Sequence, residues 1–449
     1  MNLRRWRASA LFFSVLLGSA GAIGSQPAQA QNASATFVPF YSFLRIVENA
    51  APNDYVGRPG NLVSDAAAFS SMRQHILDMY GNAHVANSYA LDEQVFDCIP
   101  IAEQPSVRLL GLTKIAPPPP NLPRPPGFVS PPPAPQIGPD QKVDAFGNSI
   151  GCADGFIPMR RITLEELSRF RTLREFFEKG PDGAGQFEPT PSVAVTHKYA
   201  VSTQAVTNYG AFTTINIWKP DIDTAKTEVF SLSQFWVTSY PNTPLQTVEG
   251  GWQAFPKKYK TAKSVLFIYW TADNYLTTGC YNLDCAAFVQ TNKSVELGAG
   301  FPPNHCLDQV DDKCGYSVAG GKQYEFEFAA YLYEGNWWLA YEGLPIGYYP
   351  IGIYQGGPLT TVSAQIEFGG ETLGATAWPP MGSGKFASAG LKHAAYQQTI
   401  YYVTDTSGDG AFANLTSLQL SPSCYTDAIF NNTSPGTYMY FGGPGGKDC

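Results

Sequence analysis

From residue 192 onward the chain repeats a single pattern, and that pattern admits few folds. β-branched and aromatic residues alternate with Ser, Thr and Gln in short runs, and Gly, Asn, Asp or Pro closes each run. A period of two puts successive side chains on opposite faces of a strand. Such runs lie at residues 200–208, 211–218, 228–236, 246–253, 264–270, 286–290, 324–333, 336–341, 346–354, 362–371 and 398–403. Many short strands with almost no helical periodicity predict an all-β domain, an antiparallel β-sandwich of two curved sheets. A chain with only 15% charged and 14% aromatic residues suits extended sheets better than helical bundles.

The residues ahead of that pattern read differently. Residues 1–30 resemble an export signal: Arg4, Arg5 and Arg7 precede an apolar stretch from Ala10 to Leu17, and Ala28-Gln29-Ala30 offers a small-x-small cleavage site. That stretch is too short to span a bilayer, so the mature protein is expected to be secreted and extracellular. Residues 31–191 read as a small α+β region. One helix starts at Ser64-Asp65, sets Phe69, Met72, Ile76 and Met79 on one face and stops at Gly81. A second starts at the Thr163-Leu164-Glu165-Glu166 capping box, runs through Leu167, Phe170, Leu173 and Phe177 and ends at Gly180-Pro181. Between them a Pro-rich insertion at 116–139 reads as polyproline II or linker. The Gly- and Pro-rich stretch 180–191 marks a boundary, which leaves 192–449 as the sandwich.

The net charge of −8 leaves no Lys/Arg stripe for phosphates and argues against a nucleic-acid partner. Eight cysteines suit an oxidising compartment. Cys280 with Cys285 and Cys306 with Cys314 each close a short loop; Cys98 with Cys152 and Cys424 with Cys449 complete the simplest scheme, though sequence leaves connectivity open. The chain has no CxxC pair and no HExxH motif, so neither metal nor cofactor is expected, and no later segment reads as a membrane span.

Candidate chemistry centres on Thr247-Val248-Glu249-Gly250-Gly251-Trp252-Gln253. A carboxylate between Val and two glycines is an odd guest in a strand, and glycine there marks the close approach of a backbone or ligand. Thr247, Glu249 and Gly251 share one face. If 364–371 is one regular strand, Gln365, Glu367, Gly369 and Glu371 share a face, with Ile366 and Phe368 on the other. Two strands would then each offer a carboxylate beside a glycine gap to one cleft. Paired carboxylates do not both ionise easily, so one keeps a proton into mildly acid pH. The ionised one takes a proton from water; the other polarises a carbonyl or protonates a leaving group. A glutamate on a solvated strand face is the plainer account of either alone.

Other constellations are poorer. Met381-Gly382-Ser383-Gly384-Lys385 lacks the first glycine of a phosphate loop, with Pro379 in its place, and the last glycine of a nucleophile elbow. His197 and His393 could in principle serve a Ser or Cys nucleophile, but every Cys is expected to be paired. Asp405-Thr406-Ser407-Gly408-Asp409-Gly410 echoes a calcium loop, but Thr416 stands at the twelfth position where Glu belongs, so a hairpin turn is expected. Trp337-Trp338 could stack on sugars, with core packing the plainer account.

Several ordered motifs together resemble the neprosin family. They are Phe230-Ser231-Leu232-Ser233-Gln234-Phe235-Trp236, Glu249-Gly250-Gly251-Trp252-Gln253, Tyr269-Trp270-Thr271-Ala272-Asp273, and the run from Thr278-Gly279-Cys280 through Asp284-Cys285 to Gln290. Asn336-Trp337-Trp338-Leu339, Ile346-Gly347-Tyr348-Tyr349-Pro350, Phe368-Gly369-Gly370-Glu371 and Met381-Gly382-Ser383-Gly384 continue in order, and Cys152 with Ile157-Pro158-Met159-Arg160-Arg161 resembles the end of the family's activation peptide.

The resemblance implies a secreted glutamic endopeptidase that cleaves after proline at acid pH. It would be made as a zymogen with residues 31–191 as the inhibitory pro-domain, and its substrate would be a proline-containing peptide or protein. Carried over, the catalytic pair falls on Glu249 and Glu371, with Glu367 the competitor for the second role. Gln234, Trp252 and Tyr269, with Glu367, are expected to line the substrate groove. The Pro-rich insertion and the Cys306–Cys314 loop depart from the family's pattern. A carbohydrate-binding or glycoside-hydrolysing β-sandwich is the alternative, since glycosidases also keep paired acids on concave sheets.

Overall fold

A computed structural model describes residues 38–449 except 82, 92, 123, 125–143, 180–194, 302–314, 420, 435 and 448. The signal stretch, most of the Pro-rich insertion, the boundary at 180–191 and the Cys306–Cys314 loop lie outside the described residues. Two antiparallel sheets pack face to face. In the first, the strand order is Thr416–Gln419, Thr196–Asn208, Ser363–Gly374, Glu228–Thr238, Thr247–Ala254, Val265–Thr271 and Cys280–Tyr281. In the second it is Val289–Gln290, Leu344–Pro350, Asn336–Tyr341, Glu325–Tyr333, Gly210–Asn216, Ala395–Val403, Thr437–Gly442 and Thr426–Phe430, with Gly410–Phe412 paired to Ala395–Val403.

Alternation decides which side chains meet between the sheets. Phe235 crosses edge-on to Phe328 at 5.5 Å. Gln397 Nε2 donates to Ser233 Oγ at 3.0 Å and to the Gln234 carbonyl at 2.9 Å. Trp252 belongs to this layer and not to the groove, which corrects the expectation for it. It sits one residue out of phase with Gly251 and Gln253, is fully buried, and donates its indole N–H to the Asn216 carbonyl at 2.8 Å on the facing sheet. The glycines beside Glu249 also have a structural cause. A Cβ at Gly250 would overlap the Phe328 ring, and one at Gly251 would overlap the Ser233 carbonyl of the adjacent strand.

The N-terminal region carries a three-stranded sheet of Asn87–Leu91, Gln94–Pro100 and Phe156–Arg160. Its long helix, Ala66–Tyr80, begins where expected: Asp65 accepts the backbone N–H groups of Ala67 and Ala68. The single helix expected from Thr163 is instead two short ones, Leu164–Leu167 and Leu173–Phe177, each capped by its own threonine. The break is held open because Leu62 and Val63 donate to the Ser168 carbonyl and Ser64 to that of Arg171. A buried ion network fastens this region to the sandwich. Arg160 meets Glu166 at 2.8 Å and Asp284 at 3.4 Å, and Lys258 meets Asp284 at 2.8 Å. On the opposite side Leu112, Ile115, Ala116 and Leu122 cover Trp338 and Tyr348 of the second sheet.

Three expected disulfides are present: Cys98–Cys152, Cys280–Cys285 and Cys424–Cys449. The Asp405–Gly410 stretch turns the hairpin between Ala395–Val403 and Gly410–Phe412. The last four strands, from residue 410 on, escaped the sequence reading because they are short and partly exposed, which blurs their alternation.

Overpacking at the sheet interface is testable. Gly250→Ala is expected to lower stability by about 1–3 kcal/mol in denaturant unfolding, and Phe328→Leu in the same chain to recover part of it. A Gly250→Ala protein as stable as the parent contradicts the packing described.

Candidate active site

Glu249 and Glu371 stand on strands separated by Glu228–Thr238, on the face of the first sheet that points away from the second. Register explains the meeting. Gln234 lies opposite both Gly251 and Gly369, so neither neighbour has a side chain to block its amide. Gln234 Nε2 donates to Glu249 Oε2 at 3.2 Å and to Glu371 Oε2 at 3.4 Å. Both carboxylates are buried, at 0% and 2% exposure.

A cation not anticipated from the sequence completes the cluster. Lys179, the last described residue before 180–194, places its ammonium 2.6 Å from Glu249 Oε2 and 2.9 Å from Glu371 Oε2. It also lies 5.1 Å above the Trp236 ring. Burial alone would lower the Lys179 pKa, but the two carboxylates outweigh it and hold the ammonium above the usual lysine range. Burial likewise pushes Glu371 up, and Lys179 together with His197 outweighs it, so Glu371 is held below the usual carboxylate range.

The remaining carboxylate oxygens have separate partners. Glu249 Oε1 accepts from Thr247 Oγ1 and from Tyr275 OH, each at 2.7 Å. Glu371 Oε1 lies 2.5 Å from His197 Nδ1. Tyr275 is aimed by a strained turn in which Asn274 and Tyr275 have φ of 63° and 60°. Asp273 fastens that turn by accepting from Thr277 and Thr278. Burial pushes the Asp273 carboxyl up, but these hydrogen bonds outweigh it and bring it to about 2. Arg174 ties the N-terminal region to the same turn, donating to the carbonyls of Tyr275, Thr277 and Thr278 at 2.9, 3.0 and 3.2 Å.

Of the other expected residues, Tyr269 lies opposite Glu249 on the next strand, fully buried and 4.8 Å from the Tyr281 ring. Glu367 shares the Glu371 face but stands apart from the cluster. Its Oε1 accepts from Gln365 at 2.6 Å, and burial raises its pKa. It lines a 340 Å³ cavity with Tyr199, Trp236, Tyr240, Tyr275 and Leu418. Larger cavities of 540 and 620 Å³ lie beside Arg169 and Lys257 and beside Gly382–Gly384, and neither glutamate lines them. Trp337 and Trp338 are fully buried, which leaves no exposed platform for sugars there. His393 is exposed, and His197 serves a carboxylate rather than a Ser or Cys. Sequence reading missed Lys179, Tyr275 and Thr247 as site residues. Tyr275 lies between the motifs ending at Asp273 and beginning at Thr278, and Thr247 shared the Glu249 face, but nothing distinguished Lys179 from a solvated lysine after a helix.

The sequence profile of the Neprosin family matches residues 227–444, which include both glutamates and exclude Lys179 and His197. Among solved structures, the chain is similar to scytalido-glutamic peptidase bound to a transition-state analogue inhibitor. The likeness has 7% identity and a TM-score of 0.31, covering 55% of this chain and 98% of that one.

The Lys179 contact predicts a pH-dependent stability. Because Glu371 is held low when folded, the contact contributes fully above the ordinary glutamate value of about 4.3 and fades as pH falls through the depressed one. Lys179→Met is expected to cost about 3 kcal/mol in urea unfolding at pH 7, and much less near pH 3. An equal penalty at both pH values contradicts the ion pairing.

Proposed function

We propose that this chain, a member of the neprosin family over residues 227–444, is the secreted zymogen of a glutamic endopeptidase that cleaves after proline at acid pH. One observation carries this reading: a single ammonium and a single amide each reach both Glu249 and Glu371. Two carboxylates so close hold a water in the space Lys179 now fills. One takes a proton from that water as it attacks the scissile carbonyl. The other, protonated, donates to the oxyanion with Gln234 and then gives its proton to the leaving amine as the C–N bond breaks. Residues 31–191 act as the pro-domain, with Lys179 as the inhibitory contact. The aromatic cavity of Tyr199, Trp236, Tyr240 and Tyr275 beside the pair supports a subsite for a flat prolyl ring.

Acid release has opposing contributions. His75 Nε2 lies 2.9 Å from the Asp284 carbonyl, and burial lowers its pKa, so the docked region loses stability as pH drops below about 6.5. Glu296, buried under Tyr89 with its OH at 3.0 Å, is raised to about 7, so docking takes up a proton there and gains from acid. Below the ordinary glutamate range Glu296 is protonated in both states, and the depressed Glu371 contributes in the releasing direction. Release is therefore expected below about pH 4.5 rather than near neutrality. Cleavage after Pro189 or Pro191 would then be self-processing.

Incubation of the full chain at about pH 4, followed by N-terminal sequencing and mass spectrometry of a proline-containing peptide, tests this. The expected result is a new end near Pro189 or Pro191 and cuts after proline. Both are abolished in Glu249→Gln and Glu371→Gln, while a polysaccharide panel stays intact. Ends that still form in Glu249→Gln, or cuts indifferent to proline, contradict it. Separately, Glu296→Gln, fixed in the neutral form that docking favours, is expected to protect the docked region more strongly than the parent near neutral pH, and His75→Gln to move the release midpoint to lower pH; protection and midpoint equal to the parent's contradict the opposing roles.

A further inference from the structure

The two glutamates have unlike surroundings once Lys179 is set aside. Glu249 Oε1 is occupied by two neutral hydroxyls, those of Thr247 and Tyr275. Glu371 Oε1 is occupied by an imidazole, that of His197. We propose that His197 is a positioning residue that keeps Glu371 ionised and so makes it the general base of the pair, leaving the proton on Glu249; the assignment rests on the peptidase reading above.

The placement of His197 is set by strand pairing. On the strand Thr196–Asn208, Tyr199 lies opposite Glu371 and His197 opposite Leu373, so His197 is the diagonal neighbour of Glu371 on the same face. Its ring is clamped between Tyr199, stacked at 6.0 Å and 14°, and Phe230, edge-on at 5.9 Å. Its side chain is 6% exposed. Nε2 has no hydrogen-bond partner among the described residues. A carboxylate can only accept, so the ring hydrogen sits on Nδ1 and points at Glu371.

These contacts fix the inward-facing oxygens. With its Oε1 saturated, Glu249 carries its proton on Oε2, where Lys179 and Gln234 now converge. Glu371 Oε2 faces the same point as a bare acceptor. A water there loses its proton to Glu371 Oε2 as its oxygen bonds to the carbonyl carbon. Glu249 Oε2–H donates to the oxyanion and then protonates the amine nitrogen as the C–N bond breaks; the proton on Glu371 returns to Glu249 to close the cycle. The titratable groups facing Glu371 are Lys179, His197, Glu249, Glu367, Tyr199, Tyr275 and Tyr281, and the last five carry no positive charge. After Lys179 leaves, the His197 Nδ1–H therefore remains as the donor on Glu371 Oε1.

The test compares His197→Leu, which removes the donor, with His197→Asn, whose amide nitrogen can occupy the Nδ1 position, both in processed enzyme. The expected result for His197→Leu is a kcat about 10- to 100-fold lower with KM unchanged, and an acid limb of the kcat–pH profile moved to higher pH. His197→Asn recovers most of kcat. An unmoved acid limb with equal losses in both variants, or no loss in His197→Leu, overturns the assignment. A second readout needs no turnover: 15N-histidine NMR of the full chain should show the His197 ring as the Nδ1–H tautomer, with a low-field ring proton that disappears in Glu371→Leu. An Nε2–H ring, or a proton indifferent to Glu371→Leu, overturns the pairing even if no peptide is cut. A parent enzyme that cuts no peptide while the NMR signature is present overturns the peptidase reading alone.

Discussion

A buried ammonium between two buried carboxylates is the contact on which the rest of the site depends. Two glutamates stripped of water and facing one another would repel and would favour uptake of a proton. Lys179 offsets both penalties, and Gln234 spreads the remaining hydrogen bonding evenly across the pair. The same contact fills the space a water would need. If the chain is the zymogen proposed above, stability of that form and suppression of its chemistry come from this one interaction, and conditions that weaken one release the other.

That contact is held by backbone arrangements some distance from it. The glycines around Glu249 let the sheets and strands close on one another, which keeps the glutamate strand rigid from behind. The turn at Asn274 and Tyr275 stores a small strain, on the order of 1–2 kcal/mol, that Asp273 stabilises. Through Arg174 the N-terminal region grips that turn, and through Arg160 and Glu166 it grips the Asp284 loop. Hydrophobic cover from Leu112 to Leu122 adds a third attachment on the far sheet. Loss of Lys179 alone leaves those attachments in place, so unlatching the pair and detaching the region are separable events.

Much of this was legible in the residues. Strict alternation located eleven strands and put Glu367, Gly369 and Glu371 on one face, because a period of two leaves no choice of side. The face of Trp252 was legible by the same rule, one step from Glu249, yet the aromatic ring suggested a groove; a large ring between sheets satisfies its N–H on the facing backbone equally well. What the sequence could not supply was proximity across long separations. Lys179 is 70 residues from Glu249, and His197 is 174 from Glu371. No local pattern encodes either contact, since both depend on how the N-terminal region lies over the sheet and on strand register. The helix break at Ser168–Arg171 was hidden for the same reason: the groups that hold it open come from residues 62–64.

The most direct measurement is a high-resolution crystal structure of the acid-processed chain. The account predicts Lys179 gone from the pair and one ordered water hydrogen-bonded to both Glu249 and Glu371, with Gln234 still between them. Glutamates that move apart once the N-terminal region is removed, or a lysine that remains between them in an active enzyme, would contradict it.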